Sequence, residues 1–385
     1  MPLSLNIVSV ERVRVQLDRG LFLVIVFLLG LGLVQVYSSS FIFAIESFDD
    51  GLLFVKKQAV FVFASIAVLS VLSYLPYKWL EKMALTTWFL ASAGLVLTLV
   101  PGIGTRVGGA ARWLQISSSL RIEPSEFLKY TMPVAFSFLL TNAKFHEPRL
   151  RNVIRWSVFV APLALLLMQP DFGSFAIIST VCFLILFVNG LKWRYVITGL
   201  SSLTAAFYFL IVRVDYRMAR VTAFLDPWAD PGKKGFQVIQ SMLGFHSGGV
   251  TGVGLGQGQG KLFFLPEAHT DFTMSVLGEE LGFVGVVLVL MVFGFVVLRG
   301  LQVTAKVENE RQRIISLGVT LTFAITTLVN AGVAMGLLPT KGLGMPFLSY
   351  GGSHLIAACL GLSLILNIDR EMRSHLTKSF IKIKR

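Results

Sequence analysis

The stretch LFLVIVFLLGLGLVQVYSSSF, residues 21–41, runs for 21 residues without a charged side chain. At about 1.5 Å per residue it makes a helix of roughly 30 Å, the thickness of a bilayer's hydrocarbon core. Arg12, Arg14 and Arg19 precede it as they would precede a secretory signal, but the run is too long for one. It also shows no small-residue cleavage site and leads straight into further apolar runs. It reads as an uncleaved first spanning helix.

Working outward, nine more runs follow, at about 58–76, 84–101, 126–142, 156–169, 174–190, 195–213, 272–298, 314–338 and 354–369. The fifth of the ten is the shortest. Of the 385 residues, 55% are hydrophobic and 14% charged, against about 25% charged in ordinary soluble domains, and the mean hydropathy is +0.74. A soluble enzyme, a disordered chain and a collagen-like fibre are excluded. Continuous apolar runs, in place of short alternating segments, argue against an outer-membrane barrel. The expected fold is all-α: a polytopic integral membrane protein of about ten transmembrane helices. It forms one membrane domain over 1–385, with an N-terminal segment 1–20, a long loop 214–271 between helices 7 and 8, and a basic tail 370–385. No internal repeat or low-complexity linker divides it. Cys182 and Cys359 lie inside apolar runs, so neither a disulfide framework nor a Cys-based metal site is expected.

The net charge of +13 would suggest nucleic acid in a soluble protein. Here its placement matters more. With the N-terminus in the cytoplasm, 21 of the 34 Lys and Arg fall on the cytoplasmic side, the tail included. That satisfies the positive-inside rule, puts both termini in the cytoplasm and leaves no role for nucleic acid. Most of the remainder lie in two outer places: Arg106, Arg112 and Arg121 between helices 3 and 4, and six residues between Arg213 and Lys261. Anchoring to lipid headgroups and helix C-termini explains such residues as well as an anionic substrate does.

The segment 214–271 is far longer than an ordinary connection, and such loops are usually functional or disordered. Arg213, Arg217 and Arg220 are spaced i, i+4, i+7, so a helical extension of helix 7 would place them on one face until Asp226 and Pro227 end it. Three guanidinium groups suit a phosphate or diphosphate, and the spacing fits an interfacial basic stripe equally. The run GGVTGVGLGQGQGK (248–261) matches neither a Walker loop nor G-x-G-x-x-G in any register. It reads as a turning loop that lets backbone approach a ligand or the membrane.

Next comes LPEAHTDF (265–272), at the mouth of helix 8. Asp271 there either caps free N–H groups or acts as a general base at the membrane boundary, taking a proton from an attacking sugar hydroxyl. Glu267 and His269 alternate with it and form only a weak metal signal. Glu279 and Glu280 further along helix 8, Lys129 in helix 4 and Asp171 in the QPDFG break (169–173) are costly in a bilayer, so they should find partners inside the bundle. The last outer loop, PTKGLGMPFLSYGGS (339–353), implies irregular backbone lining protein or a wet cavity. Asn330, Gly332 and Gly336 just before it read as close helix packing.

Together, LPEAHTDF, FLDPWADP (224–231), QPDFG and the 338–353 loop resemble one family, the SEDS peptidoglycan polymerases of shape, elongation, division and sporulation. Trp228 after Asp-Pro, Gln240 and Ser241 followed by Phe245, and Pro-Thr-Lys-Gly at 339–342 look more like its division member than its elongation member. The resemblance implies a glycosyltransferase in the cytoplasmic (inner) membrane of a bacterium. It would polymerise lipid II, the undecaprenyl-diphosphate-linked disaccharide-pentapeptide, on the outer side, with a class B penicillin-binding transpeptidase and other divisome proteins as partners. By position in the motif, Asp271 matches the family's essential aspartate, which is thought to activate the acceptor hydroxyl. Arg112, Glu126, Lys129, Arg217, Arg220, Lys341 and Ser349 fall in or beside the family's central cavity, and Glu267 and His269 join them as substrate-binding candidates. Arg217, Arg220 and Lys341 would stabilise the departing diphosphate, with a divalent cation (Mg2+ or Mn2+) as an optional helper that has no assigned ligand. A single displacement would invert the anomeric carbon. The chain departs from the family's usual residue at Gly108, Glu123, Lys233, Lys234 and His354. The competing expectation is a flippase for the same lipid-linked precursor, which needs charge access from both faces; a scaffold for division proteins is a third.

Overall fold

The computed structural model describes residues 17–107, 110–117, 120–142, 149–208, 213, 218, 224–232, 235–260, 267–340 and 342–383. Their helices are α1 (Arg19–Phe48), α2 (Leu53–Tyr74), α3 (Tyr77–Leu99), α4 (Pro124–Asn142), α5 (Arg149–Met168), α6 (Phe172–Val188), α7 (Trp193–Phe207), α8 (Phe236–Gly248), α9 (Thr273–Lys306), α10 (Glu310–Ala334) and α11 (Gly352–Ile383). Apart from α8, each coincides with one of the ten apolar runs. Six are long and apolar enough to cross a bilayer by length and composition: α1, α2, α3, α9, α10 and α11. α5 and α6 contain shorter apolar helices, Trp156–Met168 and Phe172–Val188.

Local chemistry sets the helix ends. The Asp18 carboxylate caps α1 by accepting the Leu21 N–H at 3.1 Å. Pro76 stops the chain between α2 and α3, and Asp171 caps α6 through the Ser174 N–H at 3.3 Å. α10 and α11 form the interior: 72% and 78% of their apolar windows are buried, against 28–39% for α1, α2, α3 and α9. The hydroxyls of Thr322, Thr326 and Thr327 on α10 bond back to the carbonyls four residues earlier, which lets polar residues sit in an apolar interior.

Polar ties close the bundle at the end opposite the 339–351 loop. Asp18 pairs with Arg299 in the last third of α9 and with Arg373 of α11 at 3.7 Å. The Asn367 amide of α11 donates to the carbonyls of Leu72, Ser73 and Leu75 at the C-terminal end of α2, at 3.1, 3.2 and 2.7 Å. Both ends of the described chain therefore lie at the same end of the bundle.

Three features were not expected from sequence. Residues 104–122 form a three-stranded antiparallel sheet in the order β1 (Gly104–Val107), β2 (Ala110–Gln115), β3 (Arg121–Ile122), with a register shift at Thr105/Arg106. α8 packs on α9. α9 itself breaks at Gly282, whose φ of 67° needs a glycine. The freed backbone groups pair with the glycine-rich loop: Val253 and Gly254 N–H donate to the Glu279 and Glu280 carbonyls, both at 3.0 Å, and Phe283 and Val284 N–H donate to Gly249 and Val250 at 2.9 and 3.1 Å. Broken helix inside a bilayer protein is tolerated on that condition.

α1 lies directly against the 339–351 loop at Gly32, where a Cβ would stand 1.9 Å from the Phe347 carbonyl oxygen. Phe347 is itself held at φ 66°, so the loop has little freedom to retreat. Gly32→Ala is expected to lower stability by about 1–3 kcal/mol. Thermal unfolding of the purified variant in detergent checks this, and an unchanged midpoint would contradict the packing.

Candidate functional site

The turn 267–272 carries the candidate base. Its Glu267 sits at φ 58° and its carbonyl accepts the N–H groups of Thr270, Asp271 and Phe272 at 3.1, 3.1 and 3.3 Å. Buried polar side chains fasten the turn from outside. Ser349 Oγ donates to the Thr270 carbonyl at 2.5 Å and accepts the Met345 N–H at 2.7 Å. Asn330 on α10 donates to the carbonyls of Asp271 and Leu343 at 3.1 and 2.6 Å, bridging this turn to the last loop. Gln58 on α2 donates to the Ser349 carbonyl and accepts the Gly351 N–H, both at 3.1 Å. Tyr350 N–H donates to the His269 carbonyl at 2.8 Å.

The His269 ring packs among Phe43, Phe54 and Tyr350, with centroids 5.6, 5.0 and 5.9 Å away. Burial there pushes its pKa down, which favours a neutral imidazole.

The Asp271 carboxylate is left for chemistry. The N-cap position of α9 is Phe272 and no side chain caps the helix, so the capping role open from sequence is not what the geometry shows. Asp271 and Arg112 converge on Gly342: a Cβ there would lie 3.5 Å from Asp271 Oδ2 and 3.3 Å from Arg112 Nη1. Burial, reinforced by the Glu267 charge, pushes the Asp271 pKa up to about 7, and Arg112 pulls the other way.

Strand β2 delivers Arg112 to this point. Its Nη2 donates to the Pro170 carbonyl at 3.3 Å and lies 3.5 Å from Asp171 Oδ1. Arg112 Nε and Asp171 Oδ2 find no hydrogen-bond partner among the described residues. Behind them, Lys129 and Glu126 on α4 form a buried ion pair at 2.7 Å. Glu123 stands beside these groups, its pKa pushed up to about 8 by burial and by the charges of Glu126 and Asp171, against Lys129 and Arg112. The result is a band of paired and alternating charge next to a carboxyl that titrates near neutrality.

Of the residues expected from sequence, Asp271, Arg112, Glu126, Lys129 and Glu267 stand in or at the edge of this band. His269 and Ser349 hold the turn, His269 from within it through its ring contacts and carbonyl and Ser349 from the last loop. Arg217, Arg220 and Lys341, with the expected helical extension of α7, lie outside the described residues. Glu267, His269 and Asp271 do not form a metal cluster, and among the described residues no group of three or more His, Cys, Asp or Glu stands close enough to hold an ion. Asn330, assigned from sequence to helix packing, instead ties two functional loops together. Gln58 was missed altogether; an amide in an apolar helix was the available signal for both.

A helical bundle with several candidate membrane spans and this charged band at one end defines a class, and the comparisons identify it. The family model FTSW_RODA_SPOVE, described as cell cycle protein, matches residues 19–374, and the chain belongs to that family. It is 38% identical over 379 residues to the "Probable peptidoglycan glycosyltransferase FtsW" of Geobacter metallireducens, covering 96% of this chain and 98% of that protein. It is 34% identical over 369 residues to "Stage V sporulation protein E" of Bacillus subtilis, covering 92% and 98%. Among solved structures it matches the Thermus thermophilus rod shape determining protein RodA with TM-score 0.66 at 27% identity, covering 92% of this chain and 97% of that one. A chain from "Structural coordination of polymerization and crosslinking by a peptidoglycan synthase complex" matches with TM-score 0.74 at 29% identity, covering 92% and 98%.

Proposed function

We propose that this protein is a peptidoglycan glycosyltransferase that polymerises lipid II on the outer face of the bacterial cytoplasmic membrane, with a class B penicillin-binding transpeptidase, during division. The observation that carries this reading is the uncapped Asp271 carboxylate converging with Arg112 beside a band of buried charge. Family membership and the peptidoglycan glycosyltransferase relatives support it, and the excess of Lys and Arg at the opposite end supports the outward orientation.

Asp271 takes the proton of the acceptor sugar hydroxyl as its oxygen attacks the anomeric carbon of the donor. The new C–O bond forms as the bond to the diphosphate breaks, so the anomeric carbon inverts and the lipid diphosphate leaves with the bonding electrons. Arg112 faces the charge that develops, and Arg217, Arg220 and Lys341 are proposed to join it. Mg2+ or Mn2+ commonly takes one or two carboxylates and leaves the remaining positions to phosphates and water. Exposed Glu267 fits that donor set, and a cation held there would add positive charge against the leaving diphosphate.

The test is glycan-strand formation from purified lipid II with the partner transpeptidase present. Polymer is expected; transfer of lipid II across vesicles without polymer would favour the flippase reading. The pH dependence gives a second check. A general base works deprotonated, so kcat/KM should climb as pH rises through about 7. Glu267→Gln removes a like charge and should move that midpoint down, whereas Arg112→Ala removes an opposite charge and should move it up. Midpoints that do not move, or move together, would disconnect the titration from Asp271.

A further inference from the structure

The glycine-rich run 248–261 and the buried Glu279 of α9 have no part in the chemistry above, yet they meet. Glu279 is 4% exposed. Its Oε1 accepts the backbone N–H groups of Gln259 and Gly260 at 2.7 and 3.3 Å, and its Oε2 accepts Gly260 N–H at 3.1 Å. The loop glycines make this approach possible: a Cβ on Gly258 would stand 2.8 Å from Glu279 Oε2, and one on Gly260 3.0 Å from the same atom. Bonds from backbone amides to an ionised carboxylate are among the stronger kind.

The same loop also threads the α9 break through the four backbone bonds around Gly282. Residues 273–281 therefore form a short half-helix, joined to the rest of α9 by one glycine hinge and held by the loop at its far end. Asp271 lies two residues before that half-helix begins. The loop leads, after six intervening residues, into the turn that carries Asp271. Ser275 on the half-helix adds a further tie, donating to the Ser241 carbonyl of α8 at 2.8 Å.

We infer that Glu279 is a positioning residue: by gripping the 258–260 backbone it fixes the half-helix, and with it the placement of the Asp271 carboxylate. The glycine-rich run is the socket for this carboxylate. The role rests on the proposed function, since it is read through polymerisation by Asp271. A misplacement of the order of 1 Å at a catalytic group costs about 10²-fold in rate, so a loosened half-helix should slow the chemical step with little effect on substrate capture.

The experiment uses the full chain with its partner transpeptidase and purified lipid II, in wild type, Glu279→Gln, Gly258→Ala and the double variant. Amide hydrogen exchange is followed over residues 249–260 in the same preparations. Expected are faster exchange at Gln259 and Gly260 in each variant and a fall in kcat of about tenfold or more for Glu279→Gln. KM should stay within about twofold, and the double variant should be no worse than the poorer single one, because both break one contact. Gly258→Ala perturbs the contact from the loop side, so it keeps the test open if Glu279→Gln folds poorly. Wild-type kcat with faster exchange would overturn the positioning role, and unchanged exchange would overturn the contact. An inactive wild type would sink the proposed function and this role with it, while the exchange data would still report on the socket.

Discussion

Asp271→Asn is expected to lower polymerisation of lipid II by about 10²–10⁴-fold, the usual contribution of a general base, while the protein folds and binds its partner as before. The side chain has the same shape and takes no part in capping α9, whose N-cap is Phe272. The turn is held through backbone groups that the substitution leaves alone: the Asp271 N–H to the Glu267 carbonyl at 3.1 Å and the Asp271 carbonyl to Asn330 at 3.1 Å. Stability should therefore be unchanged or improved, because the site raises the carboxyl's pKa and so disfavours the charged form. Rates measured beside thermal midpoints and partner co-purification check both halves. An Asn variant that polymerises at the wild-type rate would remove Asp271 from the mechanism.

The second large effect is on stability. Lys129→Ala should destabilise the protein by about 3–5 kcal/mol, the cost of leaving a buried charge without its partner. Lys129 is 2% exposed and lies 2.7 Å from Glu126, itself buried one turn earlier on α4. Replacing both residues by apolar ones of similar volume, Lys129→Met with Glu126→Leu, should recover most of the loss, since no unpaired ion then remains, but activity should not return. Thermal unfolding of the two variants in detergent separates these outcomes. A Lys129→Ala protein as stable as wild type would mean that Glu126 finds another partner.

The bundle was legible because length and composition decide it: a chain that must satisfy its backbone internally in lipid has little choice but helices over each apolar run. The sheet at 104–122 escaped notice because its strands are four, six and two residues long, too short for an alternating pattern to show. The α9 break escaped because Gly282 sits inside a long apolar run, where an isolated glycine usually causes no interruption. Its cause is the 249–254 backbone, some thirty residues earlier. In the site, Asp271 could be read as an ionisable group at a helix mouth, and Lys129 and Asp171 as charges too costly to stand alone in a bilayer. The fastening amides were harder to read: Gln58 reaches a carbonyl 291 positions away and Asn330 one 59 positions away, so each showed only as an amide in an apolar helix, with nothing local to name its partner.

The ties at the end opposite the site also govern the order of assembly. The carbonyls at the end of α2 find donors in Asn367 and Arg370, about 295 residues later, and the Asp18 carboxylate finds one of its arginines in the last third of α9 and the other in the final helix. A ribosome making this chain delivers the acceptors among the first residues and the donors among the last. Until α11 has entered the bilayer, the nascent protein lacks these long-range donors to its earliest helices, so it closes head to tail, as a ring closes on its clasp. A chain cut short before residue 367 would leave those groups without their long-range partners and open to quality control, however well its earlier helices had inserted.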